Sequence, residues 1–134
     1  MQKVIALLPQ YQDYRAFCKT PDKHNSTICY ISSAFLWVNQ KQDKFRFQIT
    51  SNRFLRGMIR ILVDNILAVG KGKMTVNAFK EHLKKGTRPK FLNFAKPQGL
   101  YLSKVTYPFL ELPSKTIFPN LLFDNHHGIG ERPL

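Results

Sequence analysis

The chain has 134 residues, of which 43% are hydrophobic and 22% are charged, which predicts one compact domain rather than a two-domain enzyme. Lysine and arginine outnumber aspartate and glutamate by 21 to 8, a net charge of +13. Such an imbalance predicts a polyanionic partner, either nucleic acid or an anionic membrane face. Because 13% of the residues are aromatic, the chain can fill a core, which argues against a basic disordered segment.

The cysteines and the apolar runs exclude further classes. Cys18 and Cys29 predict neither a disulfide framework nor a zinc site, which needs about four Cys or His ligands. The apolar run at 4–8 is shorter than the ~7–15 residues of a signal peptide, and no stretch reaches the ~18 of a membrane span. We therefore expect a cytoplasmic protein in a reducing compartment, with no metal site and no membrane association.

Positive charge is concentrated in the middle of the sequence. Residues 53–104 carry twelve basic and two acidic side chains, a net +10, whereas residues 1–52 carry +4 and residues 105–134 carry −1. The middle segment is therefore the predicted binding face.

The first half of the chain predicts a helical end and a hairpin. Residues 4–8 fit the last turns of a helix that stops before Pro9. Residues 28–38 are rich in β-branched and aromatic types, and apolar and polar residues alternate over 45–50. The polar residues between these segments predict a turn, and hence an antiparallel β-hairpin with one solvent-facing or ligand-facing side.

The second half predicts two helices and a strand. Ser51 and Asn52 are favourable N-cap residues for a central helix over about 53–69. Thr75 is predicted to cap a shorter helix that ends near Lys85, before Gly86. A basic loop over 87–98, a strand over 100–107 and an irregular tail over 109–134 follow. The predicted fold class is α+β, an antiparallel sheet with helices packed on one face.

Arginine spacing on the central helix points to a ligand. Arg53, Arg56 and Arg60 would lie on one ridge, where guanidinium groups can grip phosphates, although a merely solvated helix face has the same pattern. Lys71 and Lys73 flank Gly72 at the predicted helix end and could touch a backbone phosphate. The acidic and histidine residues form no catalytic spacing. The residues alone thus predict a basic nucleic-acid-binding domain without a self-sufficient active site.

Three motifs, in order along the chain, resemble the C-terminal half of the bacterial tRNA pseudouridine synthase A family. Residues 13–19 read DYRAFCK, residues 51–63 read SNRFLRGMIRILV followed by VGKGK at 69–73, and residues 99–108 read GLYLSKVTYP. The family patterns that these segments resemble are Asp-Phe-x-x-Phe-Cys-Lys, Asn-x-Phe-Leu-x-x-Met-Val-Arg with Val-Gly-x-Gly, and Gly-Leu-Tyr-Leu-x-x-Val-x-Tyr-Pro. The resemblance covers residues 1–108, the predicted C-terminal domain of such an enzyme.

The resemblance implies an isomerase without a cofactor that acts on uridine in the tRNA anticodon stem-loop, as a homodimer. An aspartate attacks a flipped uridine, the N-glycosidic bond breaks, and the base rejoins the ribose through C5. The family's Arg-Thr-Asp-x-Gly-Val-His motif, which carries that aspartate, is not in this chain, so the chain alone is expected to be inactive. Arg60 matches the arginine that pairs with the aspartate, and Leu100 matches the apolar residue beside the target base. The expected RNA-binding side chains are Arg53, Arg56, Lys71, Lys73 and Arg88.

Several departures from the family pattern, at 64–65, 85–88 and 96–98, leave an alternative open. Asp64 stands where the family usually has glycine, one helical turn beyond Arg60, and could pair with that arginine. In that case the chain would be a stand-alone RNA-binding module without catalytic activity.

Overall fold

The computed structural model describes residues 1–90, 92–111 and 132–133. Three short 3₁₀ turns lie between its first helix and first strand and another follows its last helix, and the predicted α+β class is confirmed. The helices are α1 (Gln2–Ile5), α2 (Met58–Gly70) and α3 (Val76–Lys85), and the strands are β1 (Ile31–Val38), β2 (Phe45–Ser51) and β3 (Arg132–Pro133).

The sheet is built on the predicted hairpin, which is confirmed. β1 pairs antiparallel with β2 from Val38 opposite Phe45 to Ile31 opposite Ser51, with a bulge near Ser33. β3 pairs with the other edge of β1, so the strand order is β2-β1-β3. The rest of the predicted tail, residues 112–131 and 134, lies outside the described residues.

The central helix starts later than the sequence predicts. α2 begins at Met58, after Gly57 with φ 73°, a left-handed conformation that interrupts a helix. The side chains of Ser51 and Asn52, the predicted caps, instead bind Tyr30: the Ser51 hydroxyl donates to its carbonyl (3.1 Å) and Asn52 Oδ1 accepts from its N–H (2.8 Å). The predicted helical start is therefore wrong, because both candidate caps fasten the end of the hairpin.

The predicted strand over 100–107 is also wrong. These residues pair with no strand in the described part of the chain, and Tyr107 forms only an isolated bridge with Leu110. Every residue from 100 to 111 is exposed. Alternation of apolar and polar residues predicts which side chains would share a face. A strand also needs hydrogen bonds to the backbone of a neighbouring strand.

The other local predictions are largely confirmed. Thr75 Oγ1 accepts a hydrogen bond from the Ala78 N–H (3.1 Å), and α3 ends at Gly86 with φ 64°. The described part of the basic segment 87–98 is a loop that ends in a 3₁₀ turn. The predicted helical end over 4–8 is wrong beyond Ile5, because α1 ends there and Leu8 and Pro9 already belong to a 3₁₀ turn.

The core lies where α2 and α3 meet the N-terminal segment. Phe17 and Phe79 are fully buried, with ring centroids 5.3 Å apart. Ile61 and Leu62 of α2 are fully buried in the same cluster. α2 is therefore anchored on its core side, and its opposite side is left to line a cleft.

Tyr14 is the one fully buried tyrosine among the described residues, and its replacement by phenylalanine is expected to destabilise the fold at neutral pH. Its hydroxyl donates to the Leu8 carbonyl (2.6 Å), which would lose its donor, at a cost of about 1–2 kcal/mol. Burial, helped by the nearby Cys29 thiol, raises the pKa of Tyr14 far above its ordinary value. In the unfolded chain the Tyr14 hydroxyl loses its proton above about pH 10, whereas in the folded chain it keeps the proton. The free energy of unfolding therefore falls as pH rises through that value.

Urea unfolding at pH 7 and pH 10.5 checks this expectation. Tyr14→Phe should be less stable than the native chain at pH 7 and should lose less of its stability between the two pH values. Tyr30→Phe is the matched control, because Tyr30 is 56% exposed. An equal alkaline loss in the native chain and in Tyr14→Phe would contradict the prediction.

Candidate functional site

A cleft of about 540 Å³ lies between α2 and the sheet. One wall is a half-buried side of α2, including Arg60 and Val63, and a second is strand β2. Residues 95–103 border the third side, with Leu100 among them. The cleft therefore brings together Arg60 and Leu100, which are 40 positions apart in the sequence.

Arg60 is partly buried, and its side chain is held by the loop that precedes Leu100. Its Nε donates to the Ala95 carbonyl (2.7 Å), and its guanidinium carbon lies over the Phe94 ring, 5.3 Å from the centroid. Among the described residues, Arg60 makes no ion pair with Asp64. Within the described part of the chain, no acceptor bonds the two terminal nitrogens of Arg60, and a guanidinium fork suits a carboxylate or a phosphate.

Leu100 gives the cleft an exposed apolar wall. Its N–H donates to the Pro97 carbonyl (3.0 Å), which closes the 3₁₀ turn Pro97–Gly99, and the residue is 48% exposed. Phe47 and Ile49 of β2 line the same cleft. Arg46 and Lys96 also line the cleft, so its apolar walls carry three cationic side chains with Arg60. Such a lining fits a planar ring with polar edges that is attached to an anionic group.

The predicted arginine ridge is not formed. Arg60 lies on α2, whereas Arg53 and Arg56 lie in the non-helical segment before Gly57. Both of these side chains are exposed. Neither arginine lines the cleft. Burial raises the pKa of the Cys29 thiol, and the positive charge of Arg53 opposes that rise.

The remaining predicted cations occupy two other places. Lys71 and Lys73 are exposed in the turn after α2, whose 13 residues span roughly 20 Å, so they lie at the far end of the helix from Arg60. Arg88 Nη2 donates to the carbonyls of Cys18 (3.1 Å) and Lys19 (3.0 Å). Arg88 thus ties the basic loop to the N-terminal segment.

The sequence analysis missed Phe94, Ala95 and Gly57, the residues around Arg60. The signal in the sequence was a group of apolar residues, including Leu92 and Phe94, inside the loop predicted to be basic. No cluster of three His, Cys, Asp or Glu side chains suited to a metal ion occurs in residues 1–90, 92–111 and 132–133. In the same described ranges, no helix is long and apolar enough to cross a membrane.

Comparison with known proteins identifies the family of this chain. A family model described as tRNA pseudouridine synthase matches residues 11–108, a segment that includes both Arg60 and Leu100. The chain belongs to the tRNA pseudouridine synthase family. The resemblance of the three motifs to this family is therefore confirmed.

Individual members of the tRNA pseudouridine synthase family show how much of the enzyme the chain matches. It is 38% identical to tRNA pseudouridine synthase A of Chlorobaculum tepidum, over 80% of this chain and 42% of that protein. It is 32% identical to the Porphyromonas gingivalis protein of the same name, over 81% of this chain and 43% of that protein. It is 33% identical to the Bacteroides thetaiotaomicron protein, also called tRNA pseudouridine synthase A, over 91% of this chain and 47% of that protein. The chain thus spans less than half the length of these curated relatives.

Proposed function

We propose that this chain is the C-terminal domain of a tRNA pseudouridine synthase, where it binds RNA and completes the active site. The observation that carries the proposal is the meeting of Arg60 and Leu100 in one cleft. Residues 1–108 form the domain in this proposal, and residues 109–134 extend it. The substrate is a uridine in the anticodon stem-loop of tRNA, and the complete enzyme is a cytoplasmic homodimer.

The proposed chemistry is an isomerisation that needs no cofactor. An aspartate from a part of the enzyme outside this sequence attacks the uridine, and the bond between N1 and the ribose C1′ breaks. The base turns, C5 forms a new bond to C1′, and the bond to the aspartate breaks, which regenerates its carboxylate. The hydrogen on C5 leaves as a proton while N1 gains one. Arg60 keeps the aspartate ionised and aimed, because a guanidinium beside a carboxylate favours its charged form. Leu100 supports the base once it has left its stack.

The first experiment measures tritium release from tRNA that carries 5-tritiated uridine. The N-terminal part of the Chlorobaculum tepidum relative is joined ahead of this chain, in place of that relative's own C-terminal part. The hybrid should release tritium and the chain alone should not. Release by the chain alone would overturn the proposal, and a folded hybrid that binds tRNA without releasing tritium would favour a stand-alone RNA-binding module.

Changing Lys71 and Lys73 together to alanine should weaken tRNA binding with little change in turnover at saturating tRNA. Both side chains are exposed and lie far from Arg60 along α2. If each lysine contacts one phosphate, the slope of log K against log salt should fall by about 1 per lysine. Filter binding between 50 and 200 mM salt, roughly the range in which phosphate contacts are screened, measures that slope.

The matched control removes the same charge from elsewhere on the surface. Lys23 and Lys41 are exposed and lie outside the strongly basic segment 53–104. Their double alanine variant should keep the native salt slope. Equal slopes for the two double variants would contradict a phosphate contact at Lys71 and Lys73.

A further inference from the structure

Residues 94 and 95 contact Arg60 in three ways. Besides accepting from Arg60 Nε at 2.7 Å, Ala95 donates its N–H to the Arg60 carbonyl at 3.1 Å. The Phe94 ring lies under the guanidinium, whose carbon is 5.3 Å from the ring centroid. A single short segment thus holds both the backbone and the side chain of Arg60.

Phe94 is itself fixed in place from the start of α2. Gly57 leaves the space that the ring fills, because a Cβ at position 57 would come within 2.8 Å of Phe94 Cε1. The ammonium group of Lys19 also lies over the same ring, 5.7 Å from its centroid. The ring packs against the buried core. Phe94 therefore offers Arg60 a rigid surface rather than a mobile one.

The hydrogen bond at Nε restricts how a ligand can meet the guanidinium. A carboxylate can approach an arginine from the side, through Nε and one terminal nitrogen, or from the end, through both terminal nitrogens. In Arg60 the Nε donor already binds Ala95. The end-on approach is therefore the one that offers two donors from the cleft.

We infer that Phe94 and Ala95 are positioning residues, which orient Arg60 so that it meets the catalytic carboxylate end-on through its two terminal nitrogens. This inference rests on the proposed function of Arg60. Its geometric part, that Phe94 fixes the guanidinium of Arg60, does not depend on that proposed function. Stacking on an aromatic face and a single bond at Nε restrict the rotation of the guanidinium without neutralising its charge.

The geometric part is tested on this 134-residue chain by hydrogen exchange of the Arg60 Nε–H, measured by NMR. The resonance is assigned from its loss in Arg60→Lys. Phe94→Leu should speed the exchange by about tenfold, because the guanidinium loses its aromatic support and opens more often. Phe94→Tyr keeps the ring and should exchange at the native rate. Phe109→Leu, which changes a phenylalanine that is 84% exposed, is the matched control.

The functional part is tested in the hybrid enzyme. Phe94→Leu should lower kcat by about tenfold while KM for tRNA stays within about twofold, since a displaced Arg60 affects the chemical step rather than binding. Phe94→Tyr should restore most of kcat. If Phe94 had only a structural role, Phe94→Leu would lower the amount of folded enzyme. It would not lower kcat of the folded enzyme while KM stays the same.

The two measurements separate the possible failures. Unchanged Nε–H exchange in Phe94→Leu overturns the inference, whatever the activity. Faster exchange with native kcat also overturns it, because Arg60 would then need no positioning. If the hybrid with Phe94 intact is inactive, the proposed function fails and the positioning role for catalysis fails with it, while the exchange rate still decides whether Phe94 holds Arg60.

Discussion

Arg60→Ala is expected to reduce turnover of the hybrid enzyme by at least about 100-fold, the usual order for a lost group that orients or stabilises reacting charge. tRNA affinity should change by less than about threefold, because Arg60 is partly buried in the cleft and we expect the exposed lysines and arginines to contribute most of the phosphate attraction. Single-turnover tritium release at saturating tRNA, together with filter binding, separates the two effects.

Two further variants show which property of Arg60 matters. Arg60→Lys keeps the charge but loses the planar fork, so its turnover should lie between those of the native and alanine forms. Asp64→Asn is the matched control on the same helix, since no ion pair joins Asp64 to Arg60 among the described residues. Native turnover in Arg60→Ala would show that this arginine has no catalytic part, and the chain would then be better described as an RNA-binding module.

The sequence predicted the elements whose signals are local. Alternation over 45–50 identified the second strand of the hairpin, and Thr75 and Gly86 marked both ends of α3. These features depend on residues within a few positions of one another. They could be predicted because backbone preference and side-chain capping act over that range.

The start of α2 could not be predicted in the same way. Ser51 and Asn52 have the right chemistry for caps, but their side chains bind Tyr30, which lies 21 and 22 residues earlier. Gly57 was the local signal against a continuous helix, and its φ of 73° shows why. A favourable cap residue therefore predicts a helix start only when no distant backbone group competes for its side chain.

Arg60 and Leu100 were predicted as site residues, whereas Phe94 and Ala95, which hold Arg60 in place, were not predicted. Arg60 and Leu100 came from the resemblance of two motifs, and the cleft contains both. The contact between Arg60 and Ala95 joins residues 35 positions apart through a backbone carbonyl. Since a backbone carbonyl is present at every residue, no side-chain pattern could have identified it.

Gly57→Ala is expected to destabilise the chain by about 2–4 kcal/mol, through two separable costs. A left-handed conformation disfavours any Cβ, and this Cβ would also lie 2.8 Å from Phe94 Cε1 and 3.4 Å from Lys19 Cβ. Gly72 is a close control, because its φ of 70° carries the first cost while nothing lies within 4 Å of its added Cβ. Gly72→Ala should therefore cost only about 1 kcal/mol.

Urea unfolding of both alanine variants measures the difference, which is the free energy of fitting a methyl group against the ring of Phe94. Combining Gly57→Ala with Phe94→Leu should recover part of that difference, since contacting residues couple by about 0.5–3 kcal/mol. Equal losses for Gly57→Ala and Gly72→Ala would mean that the ring moves aside freely. Phe94 would then be too mobile to fix the guanidinium of Arg60, so this stability measurement also bears on how the cleft presents its arginine.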